Sequence, residues 1–177
     1  MIQLHKITNQ ASPYWCSLVH VYHTSFPLDE QRPIEDIARL IEHDSRFVTY
    51  ALINEKGEFI GLLTTWHFEA FIYIEHFAID STLRSRGYGA EAITTFIKGH
   101  SKPIILEVEP PIDELSKRRI RFYERYGLVL YTFPYVQPAY TRESKPVELR
   151  LMGTLDTNTI PLNLVSRILH REVYGIS

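Results

Sequence analysis

Two glycines one residue apart, flanked by arginines, carry the first chemical signal in this chain: Arg84-Ser85-Arg86-Gly87-Tyr88-Gly89-Ala90. Glycine lets a backbone turn without a Cβ clash and lets a ligand approach closely. The apolar pattern puts this segment between a strand and a helix. A helix N-terminus offers unpaired N–H groups and the positive end of its dipole. Together these make a cradle for phosphate groups, with Arg84 and Arg86 adding charge. A P-loop is excluded, because Gly-Lys-Ser/Thr is absent. Gly87-Tyr88-Gly89-Ala90-Glu91-Ala92 also fits the G-x-G-x-x-A dinucleotide form, with Glu107 at a suitable distance downstream. Context opposes that form. The stretch Ser81 to Arg86 separates the glycines from the preceding strand, and the chain lacks successive βαβ units.

Other reactive side chains give weaker signals. Glu75 stands among Phe71, Tyr73 and Phe77, where desolvation would raise its carboxyl. It could serve as a base, hold a cationic amine, or sit on a solvated strand face. His76, its neighbour, points to the opposite face unless a bulge intervenes. Cys16 lies next to the apolar face of the first helix, with no His or Asp pattern around it, and reads as a small semi-buried residue. His20 and His23 share a metal-binding spacing but have no evident third ligand, so no metal site is expected. Lys117-Arg118-Arg119-Ile120-Arg121 reads as a solvated helix face or a contact to a ligand phosphate.

The elements that must position these residues follow from the apolar periods. Residues 2–6 form a short strand. Ser12-Pro13 opens a helix with Trp15, Leu18, Val19, Tyr22 and Phe26 on one face, ended by Pro27. Pro33 opens a second helix. Phe47 to Ile53, Phe59 to Phe68 and Phe71 to Ile79 read as an antiparallel meander. A helix over 89–98 leads to a strand over 104–108, which makes one parallel crossover. A helix from Glu114 to Tyr126 carries Leu115, Phe122 and Tyr126 on one face and stops at Gly127. Leu128 to Phe133 and Val147 to Gly153 form a last strand pair, joined by a long loop. Residues 162–173 carry Leu162, Val165, Ile168 and Leu169 on one stripe, which must pack on the parent domain or on a partner subunit in a homodimer. The fold class is α+β, a mixed and mostly antiparallel sheet of about seven strands with helices on both faces. Residues 1–154 form the domain and 155–177 a helical extension of it.

The chain has 177 residues, enough for one domain with a core. Hydrophobic residues are 45% and charged residues 23%, which excludes wholesale disorder. A net charge of −2 removes the basic footprint of a nucleic-acid binder. No apolar run is long enough for a membrane span. The N-terminus has no secretory signal pattern, and a single cysteine excludes an intrachain disulfide. A cytoplasmic protein is expected.

Residues 71–90 resemble motif A of the GCN5-related N-acetyltransferases, the GNAT superfamily. Arg84, Gly87 and Gly89 occupy the fixed positions of its Arg/Gln-x-x-Gly-x-Gly/Ala pattern. Residues 119–128 resemble the family's later helix, which carries Phe-Tyr and ends in Gly-Phe; here Leu128 replaces the Phe. The element order matches over about residues 2–153. The resemblance implies an acetyl-CoA-dependent N-acetyltransferase acting on a primary amine, a small molecule or a peptide, by direct transfer. It implies that the pyrophosphate sits on Arg84, Ser85, Arg86, Gly87, Tyr88, Gly89 and Ala90. It implies that the pantetheine runs along Phe77, Ala78 and Ile79. It also implies that Tyr123 is the general acid and that Glu75 lines the cofactor as the candidate base. The family's CoA-contacting Asn after the next strand has no counterpart in Glu107-Val108-Glu109-Pro110-Pro111. In this architecture the acceptor would enter beside Phe26, Leu28, Asp29 and Glu30, with Trp66, Phe68, Tyr131, Tyr135 and Tyr140 as candidate walls. The other reading is a non-catalytic acyl-CoA-binding regulatory module.

Overall fold

The computed structural model describes residues 1–176; Ser177, in the 155–177 extension, lies outside the described residues. The chain runs β1 (Gln3–Ile7), α1 (Trp15–Ser25), α2 (Ile34–His43), β2 (Phe47–Ile53), β3 (Phe59–His67) and β4 (Ile72–Ile79). It continues α3 (Tyr88–Lys98), β5 (Ile104–Val108), α4 (Glu114–Glu124), β6 (Val129–Leu130), β7 (Tyr135–Gln137), β8 (Val147–Gly153) and α5 (Leu162–Ile168). A π-helical turn, Leu169–Val173, extends α5. The strand order is β1-β2-β3-β4-β5-β8-β6, with β7 also paired to β8. Among the described residues only β4 and β5 pair in parallel, across the α3 crossover.

Eight strands form where about seven are expected. The expected strand over 128–133 is cut to Val129–Leu130, because the chain turns at Tyr131–Phe133 before Pro134. Within the expected long loop, Tyr135–Gln137 then pairs with Leu149–Val147.

Helices cover both faces. On one face α1, α2 and α5 bury Leu18, Tyr22, Ile37 and Val165 against Trp66 and Tyr73. On the other, α3 and α4 bury Ile93, Phe96, Ile120 and Tyr123 against Ile72, Ile74 and Leu106. Two helix faces are rotated from their sequence reading. In α1 the buried set is Leu18, Val21 and Tyr22, with Trp15 and Phe26 packed at its margin, so Val21 rather than Val19 faces the core. In α4 a capping box between Asp113 and Ser116 sets the start, and Ser116, Ile120 and Tyr123 face inward. Leu115 is left 64% exposed, beside the cleft described below. The C-terminal stripe packs on its own chain: Val165, Leu169 and Val173 join the first core. Cys16 is exposed rather than semi-buried, because it lies off the Leu18–Val21–Tyr22 face.

Candidate active site

A bulge in the middle of the sheet opens the cleft. Along β3 and β4 the register passes from Thr65↔Ile74 to Thr64↔His76, so Glu75 has no partner on β3. A bulge adds twist and bends its strand. On the other side of β4, pairing with β5 stops at Ile74↔Leu106. Beyond that point β5 pairs only with β8, through Val108↔Arg150. The edge of β4 from Glu75 to Ile79 is therefore free of a neighbouring strand. Between the two strands lies a cavity of about 500 Å³, bordered by Glu75, Phe77 and Ile79, by Leu106, Glu107 and Glu109, and by Tyr123 of α4.

A second cavity of about 990 Å³ lies over the glycine loop and shares Ile79, Arg84, Gly89 and Phe122 with the first. Gly87 has φ +82° and caps α3, a left-handed conformation that favours glycine. The first-turn N–H groups of Tyr88, Gly89 and Ala90 have no acceptor among the described residues. A Cβ at Gly89 would meet Ile79 at 3.6 Å and Phe122 at 3.7 Å, ordinary contact distances that the fold itself could accommodate. Arg84 donates from Nε to the Ile79 carbonyl at 3.2 Å, which ties the loop to the end of β4. Ser85, Tyr88 and Ala90 border the same cavity, and Arg118 and Arg125 of the α4 region reach it from the facing side. Arg86 lies apart from this cavity. It borders a separate groove with Asn54 and Glu91, since left-handed turns at Ser85 (φ 64°) and Gly87 reverse the chain on either side of it. Free N–H groups, a cavity over the loop and arginines on both sides suit the diphosphate of CoA.

The bulge places Glu75 and His76 on the same face of the sheet. The Glu75 side chain is fully buried. Arg32 donates to its Oε1 from Nε at 3.1 Å and from Nη2 at 2.8 Å. Tyr140 donates to the same oxygen at 2.7 Å, and the Trp66 indole to Oε2 at 2.8 Å. Burial works against the charge, but Arg32, His76 and Tyr140 outweigh it and hold the carboxyl below its ordinary value. The expectation of a raised carboxyl at Glu75 is thus overturned, and a low, ion-paired carboxylate is a poor proton acceptor at neutral pH. Burial lowers the His76 imidazole below its ordinary value, against the charge of Glu75 and the Glu30 carbonyl, which raise it. Its Nε2 faces the Glu30 carbonyl at 3.0 Å and its Nδ1 the Thr64 hydroxyl at 3.2 Å, so both ring nitrogens are engaged.

Glu107 is the residue that sequence reasoning missed. It lines the cleft from β5 and has no cation paired with it among the described residues. Burial pushes its carboxyl up to about 7, against hydrogen bonds from Tyr135 and Tyr174, while Glu75 adds repulsion. A carboxyl poised near neutrality in a cleft suits general-base work. In the sequence it stood out only by its spacing from the glycine loop and its place on the strand after the crossover. Tyr123 borders the same cavity, its hydroxyl without a hydrogen-bond partner among the described residues. Burial raises it to about 12, so it stays a proton donor.

The aromatic walls expected for the acceptor divide. Phe26 and Glu30 border the cleft. Trp66 and Phe68 are core residues, and Tyr131 donates to the Leu155 carbonyl. Tyr135 and Tyr140 serve the two glutamates. Glu30 is raised by burial and by repulsion from Glu109 and Asp29, whereas Arg119 is bonded to Glu109.

Comparison with known proteins agrees with this geometry. The model of the acetyltransferase (GNAT) family matches residues 12–128. YjbC of Bacillus subtilis (strain 168), named as a candidate acetyltransferase, is 31% identical over 108 residues. That match covers 55% of this chain and spans about half, 52%, of YjbC. A candidate GNAT-family acetyltransferase from Bacteroides thetaiotaomicron superposes with a TM-score of 0.92 at 32% identity, over 99% of each chain. Spermidine N-acetyltransferase from Vibrio cholerae, in complex with CoA and spermine, shares the fold alone, with a TM-score of 0.59 at 14% identity, over 86% of this chain and 94% of that one. With a family match over residues that include both the glycine loop and Tyr123, the chain belongs to the acetyltransferase (GNAT) family.

Proposed function

We propose that this protein transfers an acetyl group from acetyl-CoA directly to a primary amine, a small molecule or a peptide. The observation that carries the reading is the pairing of Glu107 and Tyr123, a proton acceptor and a proton donor, on one cavity between β4 and β5. Acetyl-CoA, when bound, supplies an acetyl group activated as a thioester. The N–H groups of Tyr88, Gly89 and Ala90, with Arg84, Ser85 and Gly87, would hold its diphosphate, and the free edge over Phe77, Ala78 and Ile79 would take the pantetheine amides.

Glu107 takes the proton from the incoming amine and frees the nitrogen lone pair for attack. Tyr123 gives its hydroxyl proton to the departing sulfur. Glu75 acts through its ion pair with Arg32, as a positioning residue rather than as the base. Glu30 and Glu107, without paired cations at the cleft, favour entry of a positively charged amine. Cys16 does not border the cavity, which supports direct transfer over an acyl-enzyme route.

The test is thiol release from acetyl-CoA with a panel of primary amines and peptides, alongside thermal shift with acetyl-CoA and NAD. Amine-dependent thiol release and stabilisation by acetyl-CoA alone are expected. Stabilisation without turnover on any amine, by protein whose cleft residues are intact, would instead favour a binding module.

A further inference from the structure

Glu107 is held by hydroxyls from two other elements, with a third hydroxyl behind them. Tyr135 of β7 donates to Oε1. Tyr174, the residue after the π-helical turn, has its hydroxyl 3.1 Å from Oε1 and 3.0 Å from Oε2. Tyr73 of β4 stands behind them, its hydroxyl 3.0 Å from the Tyr174 hydroxyl. The other charge facing Glu107 is Glu75 of β4, neutralised in part by Arg32. Tyr140, from the loop before β8, packs on Tyr174 with ring centroids 5.0 Å apart while its hydroxyl serves Glu75.

The C-terminal segment thus touches both glutamate systems. The Val173 carbonyl accepts from Arg32 Nη2 at 2.7 Å, one residue before Tyr174. Leu169 and Val173 are buried in the first core, and the Tyr174 N–H returns to the Leu169 carbonyl at 3.2 Å, so the segment is firmly seated. These contacts come from residues beyond the family match, which ends at 128. A phenol has one proton to give. If Tyr174 gives it to Glu107, Tyr73 can donate to the Tyr174 oxygen, and such chains strengthen their terminal bond.

We propose that Tyr174 is a positioning residue for Glu107: its hydroxyl keeps the carboxylate ionised and oriented toward the cleft, so that the C-terminal segment is a working part of the acetyl-transfer site. This rests on the reading of Glu107 as the proton acceptor, and the experiment separates the two. Tyr174→Phe keeps the ring and its packing but removes the donor. The Glu107 carboxyl is followed by ¹³C NMR titration, its resonance identified by its absence in Glu107→Gln, and kcat/KM is measured against pH in parallel.

The variant should move the Glu107 midpoint, and the rise of kcat/KM with pH, upward by about one pH unit. Replacing Tyr174 by 3-fluorotyrosine, a nearly isosteric and stronger donor, should move both downward, and it keeps the test open if Tyr174→Phe does not fold. Tyr131→Phe, which removes a hydroxyl bonded to Leu155 instead, should move neither. An unchanged Glu107 midpoint in both Tyr174 variants, or an equal shift in Tyr131→Phe, overturns the proposal. A shifted midpoint with an unmoved kcat/KM profile upholds the hold on the carboxylate and overturns Glu107 as the base.

Discussion

Glu75 and Glu107 sit on neighbouring parallel strands and have opposite acid–base characters. Glu75 is bonded to Arg32, Tyr140 and Trp66 and held low. Glu107 is bonded to tyrosines alone and raised to about 7. The Arg32 guanidinium makes the largest part of the difference, and environments that push two acids apart assign them different roles.

The first prediction concerns pH. A base must be deprotonated, so kcat/KM should rise with pH through an apparent pKa near 7, and Glu107→Gln should lower kcat about 10²–10⁴-fold. Stability runs the other way. The folded-state carboxyl is raised above its unfolded value, so its contribution is full below about pH 4.5 and is lost as pH rises through 7. Glu107→Gln should therefore raise Tm relative to wild type more at pH 8 than at pH 5. A Tm difference independent of pH would contradict a raised carboxyl.

The second concerns the ion pair. Arg32→Met strands a buried carboxylate and should cost about 3–5 kcal/mol, read from urea unfolding. The double change Arg32→Met with Glu75→Leu should recover most of that loss, because an apolar replacement of a buried pair is often close to neutral. If the double variant is as unstable as the single one, the unpaired charge is not the cause.

The third concerns Gly89. The protein leaves ordinary contact distances around an added Cβ, so Gly89→Ala should fold with a Tm near wild type. Gly89→Val should weaken acetyl-CoA binding by a larger factor than Gly89→Ala. Calorimetric Kd values equal in wild type and Gly89→Val would mean that no ligand approaches this backbone.

The fourth concerns Tyr123. Its hydroxyl makes no protein hydrogen bond among the described residues, so Tyr123→Phe should leave folding and acetyl-CoA affinity nearly intact. It should lower kcat and kcat/KM together by about 10²–10⁴-fold. The loss should shrink with a thioester of a more acidic thiol. Wild-type turnover where chemistry limits the rate would leave this tyrosine a packing residue only.

What the sequence determined by itself is local. Gly87 and Gly89 stand at a strand-to-helix junction, so the left-handed cap at Gly87 and the free N–H groups after it follow from neighbours within a few residues. The meander, the single parallel crossover and the stop at Gly127, where φ is +86°, follow from apolar period and turn chemistry in the same way. The acid–base assignment did not follow. Glu75 looked like a desolvated carboxylate because its sequence neighbours are aromatic, but its guanidinium partner is 43 residues away at Arg32. Glu107 did not stand out as a base because its donors are Tyr135 and Tyr174, brought from β7 and the C-terminal segment. The bulge at Glu75, which opens the cleft and turns His76 to the same face, is a property of the register between two strands. Proton affinity depends on charge and burial through space within a few ångströms, and only the packed sheet sets those distances.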